Sequence, residues 1–210
     1  MTKQTLWLLS LVMLVLLSIW LLFRVKPAAA PKTSNPTKIT SPTPTTPKVV
    51  TDPIDQATKR VTKKPFGIYI TPKNSPVQPE KFTGYHTGVD FETFPEEANT
   101  DVPFYAICSG KILAKRSATG YGVVFVQSCT INNQAVTVIY GHISLKSIAK
   151  NIGDTLSQEE KIGNLGHSPD ETDGERKHLH LGIHKGTEIN IKGYVQSAPE
   201  LSAWLDFQKL

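Results

Sequence analysis

Beyond Lys64 the chain is a series of short runs rich in Val, Ile, Phe and Tyr, broken by Gly, Pro, Asn and Ser clusters set too closely for helices to fit between them. The pattern predicts strands over residues 66–71, 102–108, 111–116, 122–128, 135–140 and 178–184. A mostly β, antiparallel-sheet domain is therefore expected over residues 65–210. One stretch, 199–208, has helical spacing. It puts Leu201, Trp204, Leu205 and Phe207 on one face and is expected to dock as a C-terminal helix.

What precedes this region is different in kind. Residues 6–23 form an 18-residue run without charge, and a helix of that length spans roughly 27 Å, about one bilayer core. Ala28, Ala29 and Ala30 would suit a signal peptidase. The run, however, exceeds the roughly 7–15 residues of a signal-peptide core, and Arg24 and Lys26 intervene. An uncleaved, single-pass transmembrane anchor over residues 1–26 is expected. Residues 27–64 are rich in Pro, Thr, Lys and Ala and poor in large apolar side chains, so they read as a disordered linker.

The net charge of +5 belongs to the N-terminal tail. Six Lys or Arg residues precede Asp52 and no acidic residue does; from Asp52 onward 17 basic residues face 18 acidic ones. No basic patch is long enough for a nucleic-acid surface, so nucleic acid is not an expected partner. Flanking charge alone would leave the domain in the cytoplasm. The chemistry described below places it outside.

Two cysteines are too few for a disulfide scaffold. A hairpin centred on residues 117–120 nevertheless pairs positions whose numbers sum to 237, which sets Cys108 opposite Cys129 within disulfide reach. Such a bond implies an oxidising compartment.

Histidine spacing carries the functional signal. In Gly84-Tyr85-His86-Thr87-Gly88-Val89-Asp90 an imidazole and a carboxylate lie four residues apart between glycines; in His178-Leu179-His180 two imidazoles share one face of a strand. Tyr140-Gly141-His142 ends a third strand. Nitrogen and oxygen donors of this kind suit a catalytic Zn²⁺ with three protein ligands and one open position.

These three motifs, in this order, resemble the lysostaphin-type, or LytM-like, peptidoglycan metalloendopeptidases. The resemblance extends to Pro103-Phe104-Tyr105-Ala106, Gly110-Lys111-Ile112, Gly120-Tyr121-Gly122 and Ile162-Gly163-Asn164, so it covers roughly residues 65–200. It implies one zinc ion held by His86, Asp90 and His180, with His142 and His178 as the non-ligand catalytic histidines. It also implies a groove across an antiparallel sheet, peptidoglycan peptides as partners, and a bacterial membrane protein with its catalytic domain outside the cytoplasm. Hydrolysis of cross-links or stem peptides is the expected activity. The competing expectation is a non-catalytic LytM-like module that binds or activates another wall hydrolase. A zinc carboxypeptidase or dipeptidase would need a Glu base near His178, and none matches.

The chain departs from the family around the His-x-His, where Glu175-Arg176-Lys177 replaces a Thr-Gly-Pro and Leu181-Gly182-Ile183 replaces a Phe-Glu. A peptide carboxylate of the stem is one partner open to Arg176 or Lys177, but the two are expected as exposed loop charges without partners, and His167 and His184 as surface residues.

Overall fold

A computed structural model describes residues 49–210. The expected membrane anchor and the linker up to residue 48 lie outside them. Among the described residues no helix is long and apolar enough to cross a membrane.

Eleven strands form among the described residues: β1 Tyr69–Ile70, β2 Gly84–His86, β3 Gly88–Glu92, β4 Pro103–Tyr105, β5 Gly110–Ala118, β6 Gly122–Ile131, β7 Gln134–Gly141, β8 Thr155–Leu156, β9 Lys161–Asn164, β10 His178–Lys185 and β11 Tyr194–Val195. Two helical turns, α1 Ala57–Arg60 and α2 Pro169–Thr172, accompany them. The main sheet has six strands in the order β3-β10-β7-β6-β5-β8. All its pairings are antiparallel. A small sheet, β1-β2-β11, lies next to it in the chain, and β4 pairs with β9.

Strand alternation gives the main sheet two unlike faces. On one, Val89 and Phe91 of β3, Leu179, Leu181 and Ile183 of β10, Val136, Val138 and Tyr140 of β7, and Val123 and Phe125 of β6 join the main core. On the other, Asp90, His178, His180 and His184 alternate with those residues and are also buried. Beyond them on that face lies a smaller cluster of Val124, Val126, Ile139, Tyr121 and Trp204. Strand β10, paired on both edges, is buried from His178 to His184, so its histidines sit on a rigid support.

Three expectations are corrected. First, the linker does not run to Lys64. Val50, Ile54 and Ala57 enter the main core, the Thr51 amide donates to the Ile107 carbonyl at 2.9 Å, and the Asp90 amide donates to the Lys64 carbonyl at 3.0 Å. A few apolar side chains suffice there because the rest of the core already exists to receive them.

Second, the C-terminal segment is not an α-helix. It makes 3-10 turns at Ala198–Ala203 and Phe207–Lys209. Between them Trp204 is extended and bridges to His184, and the Leu205 amide donates to the Ile183 carbonyl at 2.8 Å. Pairing with β3 ends at Gly182. The exposed backbone edge of β10 beyond that point offers hydrogen bonds that an isolated helix would forgo.

Third, the β5–β6 hairpin turns later than expected, with Ala118 opposite Gly122 and Lys115 opposite Phe125, so that paired numbers sum to 240 and not 237. A bulge between Ile112 and Ala114 then shifts the register. Cys108 and Cys129 still meet in a disulfide, with Cα atoms 6.1 Å apart. They do so because the chain before Gly110 folds back against β6, where the Gln127 side-chain amide donates to the Cys108 carbonyl.

Candidate metal centre

The first motif is split between two sheets. His86 ends β2 and Asp90 lies inside β3, while Thr87 turns the corner, its amide donating to the Gly193 carbonyl at 3.0 Å. This corner sets His86 over the face of the main sheet that carries Asp90 and His180.

Three donor atoms converge there. His86 Nε2 and His180 Nδ1 are 3.1 Å apart. Asp90 Oδ1 lies 3.1 Å from His180 Nδ1 and 3.3 Å from His86 Nε2. A tetrahedral ion with ligands at ~2.0–2.1 Å requires ligand-to-ligand edges of about 3.3–3.4 Å. Both the triangle and its donor types therefore fit zinc.

Each imidazole is oriented by the nitrogen it turns away from the centre. His86 Nδ1 donates to the Pro65 carbonyl at 3.2 Å, which leaves Nε2 with a lone pair for the triangle. His180 presents Nδ1, and its Nε2 lies 3.3 Å from the Tyr121 hydroxyl. Two further histidines stand beside the triangle with ring centres 4.2 Å apart. His142 Nδ1 donates to the Thr172 carbonyl at 3.2 Å and His178 Nδ1 to the Arg176 carbonyl at 2.8 Å. A carbonyl only accepts, so both rings carry their proton on Nδ1 and offer Nε2 as a base. His142 adopts a left-handed backbone, φ 61°, directly after Gly141. A conformation that unfavourable for a non-glycine residue is held by its surroundings: the His142 amide donates to Val123, and its carbonyl accepts from Gly166.

Burial sets the charge states. It pushes His180 down to about 4, against the pull of Asp90. Burial, with His178 beside it, holds His142 well below the usual histidine range. Desolvation alone would raise Asp90, but the imidazoles of His178 and His86 and the hydrogen bonds to it keep it well below the usual carboxylate range. Burial and the nearby Asp90 push the Tyr121 phenol up, so it stays protonated. Neutral imidazoles and an ionised carboxylate are the forms that ligate a cation.

A groove of about 670 Å³ passes over the site. Phe82 stacks on Tyr194 at one side, with ring centres 5.3 Å apart and nearly parallel.

The structure thus brings His86, Asp90, His142, His178 and His180 to one place. Residues 84–191 match the profile of peptidase family M23. The chain belongs to peptidase family M23. The matched span holds all five of these residues and every β-strand except β1 and β11. Among solved structures, the M23 domain is similar to LytU, at 21% identity over 71% of this chain and 90% of LytU, TM-score 0.47. It is similar to a zinc-containing peptidase from Vibrio cholerae, at 22% identity over 64% of this chain, TM-score 0.43. That match spans 36% of the Vibrio chain. Lysostaphin is 24% identical over 57% of this chain and 44% of its own, TM-score 0.41. No curated protein sequence matches the chain.

Several residues of this M23 site had no functional role in the sequence reading. Tyr121 lies in a Gly-Tyr-Gly that marked only the fold. Arg176, read as an unpartnered loop charge, instead donates to Asp90 and Glu92. Lys177 also has partners, the carbonyls of Glu97 and Thr100. His184 is not a surface residue: it is buried and meets Trp204 edge to face, ring centres 4.8 Å apart. His167 is exposed and pairs with Asp101 at 3.2 Å. The available signals were period-2 spacing from His180 to His184 and the position of Arg176 two residues before His178.

Proposed function

We propose that this M23 domain is a zinc-dependent endopeptidase that hydrolyses peptide bonds in the cross-links or stem peptides of peptidoglycan. The observation that carries the reading is the triangle of His86, Asp90 and His180 donor atoms with 3.1–3.3 Å edges, flanked by two imidazoles that are not part of it. His86, Asp90 and His180 would hold the ion. Zinc held by them supplies Lewis acidity toward a carbonyl and a nucleophile from water near neutral pH.

The chain's own residues handle the protons. His178 Nε2, held on the rigid β10 strand, takes a proton from the attacking water as general base. His142 Nε2, on the ring beside it, receives or returns a proton. The groove over the site, lined by His142, His178, His180 and Tyr121, is where the peptide would lie. The anchor over residues 1–26 would tether the domain to a bacterial membrane on its outer side, within reach of the wall.

The test is mass spectrometry of peptides released from purified peptidoglycan by the full chain, loaded with zinc or treated with chelator. His178→Ala and His142→Ala are expected to keep zinc and lose release of new amino termini, whereas His86→Ala and His180→Ala lose zinc as well. Zinc binding in equal stoichiometry without release from several wall chemistries would replace this reading with that of a binding or activating module.

A further inference from the structure

The two oxygens of Asp90 have different partners. Oδ1 belongs to the donor triangle. Oδ2 accepts from Arg176 Nη2 at 2.9 Å and lies 3.3 Å from His178 Nε2. Arg176 is in turn gripped by Glu92, whose two oxygens accept from Nε at 3.0 and 2.9 Å and one of which also accepts from Nη2. Glu92 follows Asp90 by two positions on β3 and so shares its face. Lys63 backs it at 3.4 Å. The Arg176 side chain is only 17% exposed, and its backbone carbonyl is the group that orients His178.

We infer that Arg176 is a positioning residue that holds Asp90 to single-oxygen coordination and fixes the His178 ring, with Glu92 as its clamp. The inference rests on the metal-site reading above. A carboxylate whose second oxygen is free can turn and chelate an ion through both atoms. A planar guanidinium forked between two carboxylates prevents that turn, because its donors are fixed in direction and charge-assisted. Keeping Asp90 to one oxygen holds the protein to three donors and leaves room at the ion for substrate. Arg176 lies in the Glu175-Arg176-Lys177 stretch where this chain departs from the Thr-Gly-Pro of the proteins it resembles.

The experiment is cobalt substitution of the full chain. Visible absorption of Co²⁺ reports coordination number, because four-coordinate sites absorb more strongly than five-coordinate ones. Arg176→Gln is expected to weaken the visible bands as Asp90 chelates through both oxygens. It is also expected to lower zinc affinity by about tenfold, the lower end for loss of a group that orients a ligand. Arg176→Lys, which keeps the charge but not the fork, falls between wild type and Arg176→Gln. Glu92→Gln, which loosens the clamp and leaves the Asp90 contact, gives a smaller change of the same sign and serves if Arg176→Gln fails to fold. A purely structural role would lower the melting temperature and leave the spectrum unchanged. Spectra and affinities equal to wild type in the folded variants would overturn the inference. Failure of the wild-type chain to take up cobalt or zinc would overturn the metal-site reading beneath it.

Discussion

Gly88 on β3 faces the His180 imidazole with no space between them for a methyl group. A Cβ at this position would lie 2.6 Å from His180 Cε1 and 2.5 Å from the carbonyl oxygen of Leu181. The oxygen cannot retreat, since β10 is paired on both edges, so the ring and the strand must both shift. Gly88→Ala is expected to cost about 1–3 kcal/mol of stability, as overpacking does, and to weaken zinc binding more than the stability loss alone explains. Chelator competition alongside thermal melting checks this. Gly153→Ala is the control: its φ of +93° makes alanine unfavourable, but nothing lies within 4 Å, so it should lower stability and leave zinc affinity unchanged.

Lys64 and Glu80 form an ion pair at 2.6 Å with side chains 3% and 1% exposed. Ser75 and Tyr194 complete its hydrogen bonds. Removing one partner strands the other without water, so Lys64→Met is expected to cost about 3–5 kcal/mol. Replacing both, as Lys64→Met with Glu80→Leu, is expected to recover much of that loss. Urea unfolding of the two variants beside the wild type measures it. The same data test whether the end of the expected linker is part of the folded domain, because a truly disordered Lys64 could be replaced at no cost.

The disulfide between Cys108 and Cys129 spans 21 positions. Closing a loop of that length lowers the entropy of the unfolded chain by an amount worth about 3 kcal/mol. Cys108→Ser with Cys129→Ser should therefore lower the urea midpoint by the corresponding amount, with zinc stoichiometry unchanged. Loss of zinc in that variant would mean that the bond supports the site and not only the core.

In the metal-free protein, acid should destabilise the fold from near neutrality downward. Burial pushes His180 to about 4 and His142 well below the ordinary histidine value. The unfolded chain takes up protons at these positions once pH falls below about 6.5, while the folded chain resists until near pH 4 at His180, so stability falls as pH drops through that window. The carboxylates add to this at lower pH. Burial would raise Glu80, but Lys64 and the Phe82 amide hold it below its ordinary value; Glu97 is held down by Arg60. Their contribution is present above the ordinary carboxylate pKa and disappears as pH falls through the folded values. Urea midpoints of chelator-treated protein between pH 7 and 4 should decrease steadily; a rise on acidification would contradict the assignment.

Short apolar runs between turn residues were enough to indicate an antiparallel sheet domain, because side-chain alternation and turn chemistry are local properties. The same period-2 rule put His178 and His180 on one face without any knowledge of the fold. Locality also explains the misses. Strands β2 and β3 carry a histidine, an aspartate and glycines where alternation would show hydrophobic residues, since both are buried around polar groups. Residues 49–64 looked like linker because their few apolar side chains count for little until a core built elsewhere receives them. The hairpin register differs because the turn is centred later, with Ala118 opposite Gly122, and because a bulge between Ile112 and Ala114, invisible in composition, then shifts the pairing again.

The set of available donors, their order, and the strand face that two of them share are legible before folding is considered, because all three depend on residue type and near-neighbour geometry. The folded chain alone shows that His86 meets His180 across 94 positions at 3.1 Å, that Arg176 closes on Asp90 and Glu92, and that His184 packs against Trp204. Those contacts join segments whose separation along the chain carries no periodic signal. They form only when burial of the sheet's apolar face fixes every strand at once, and it is the cost of leaving buried polar groups unpaired that then selects one partner for each.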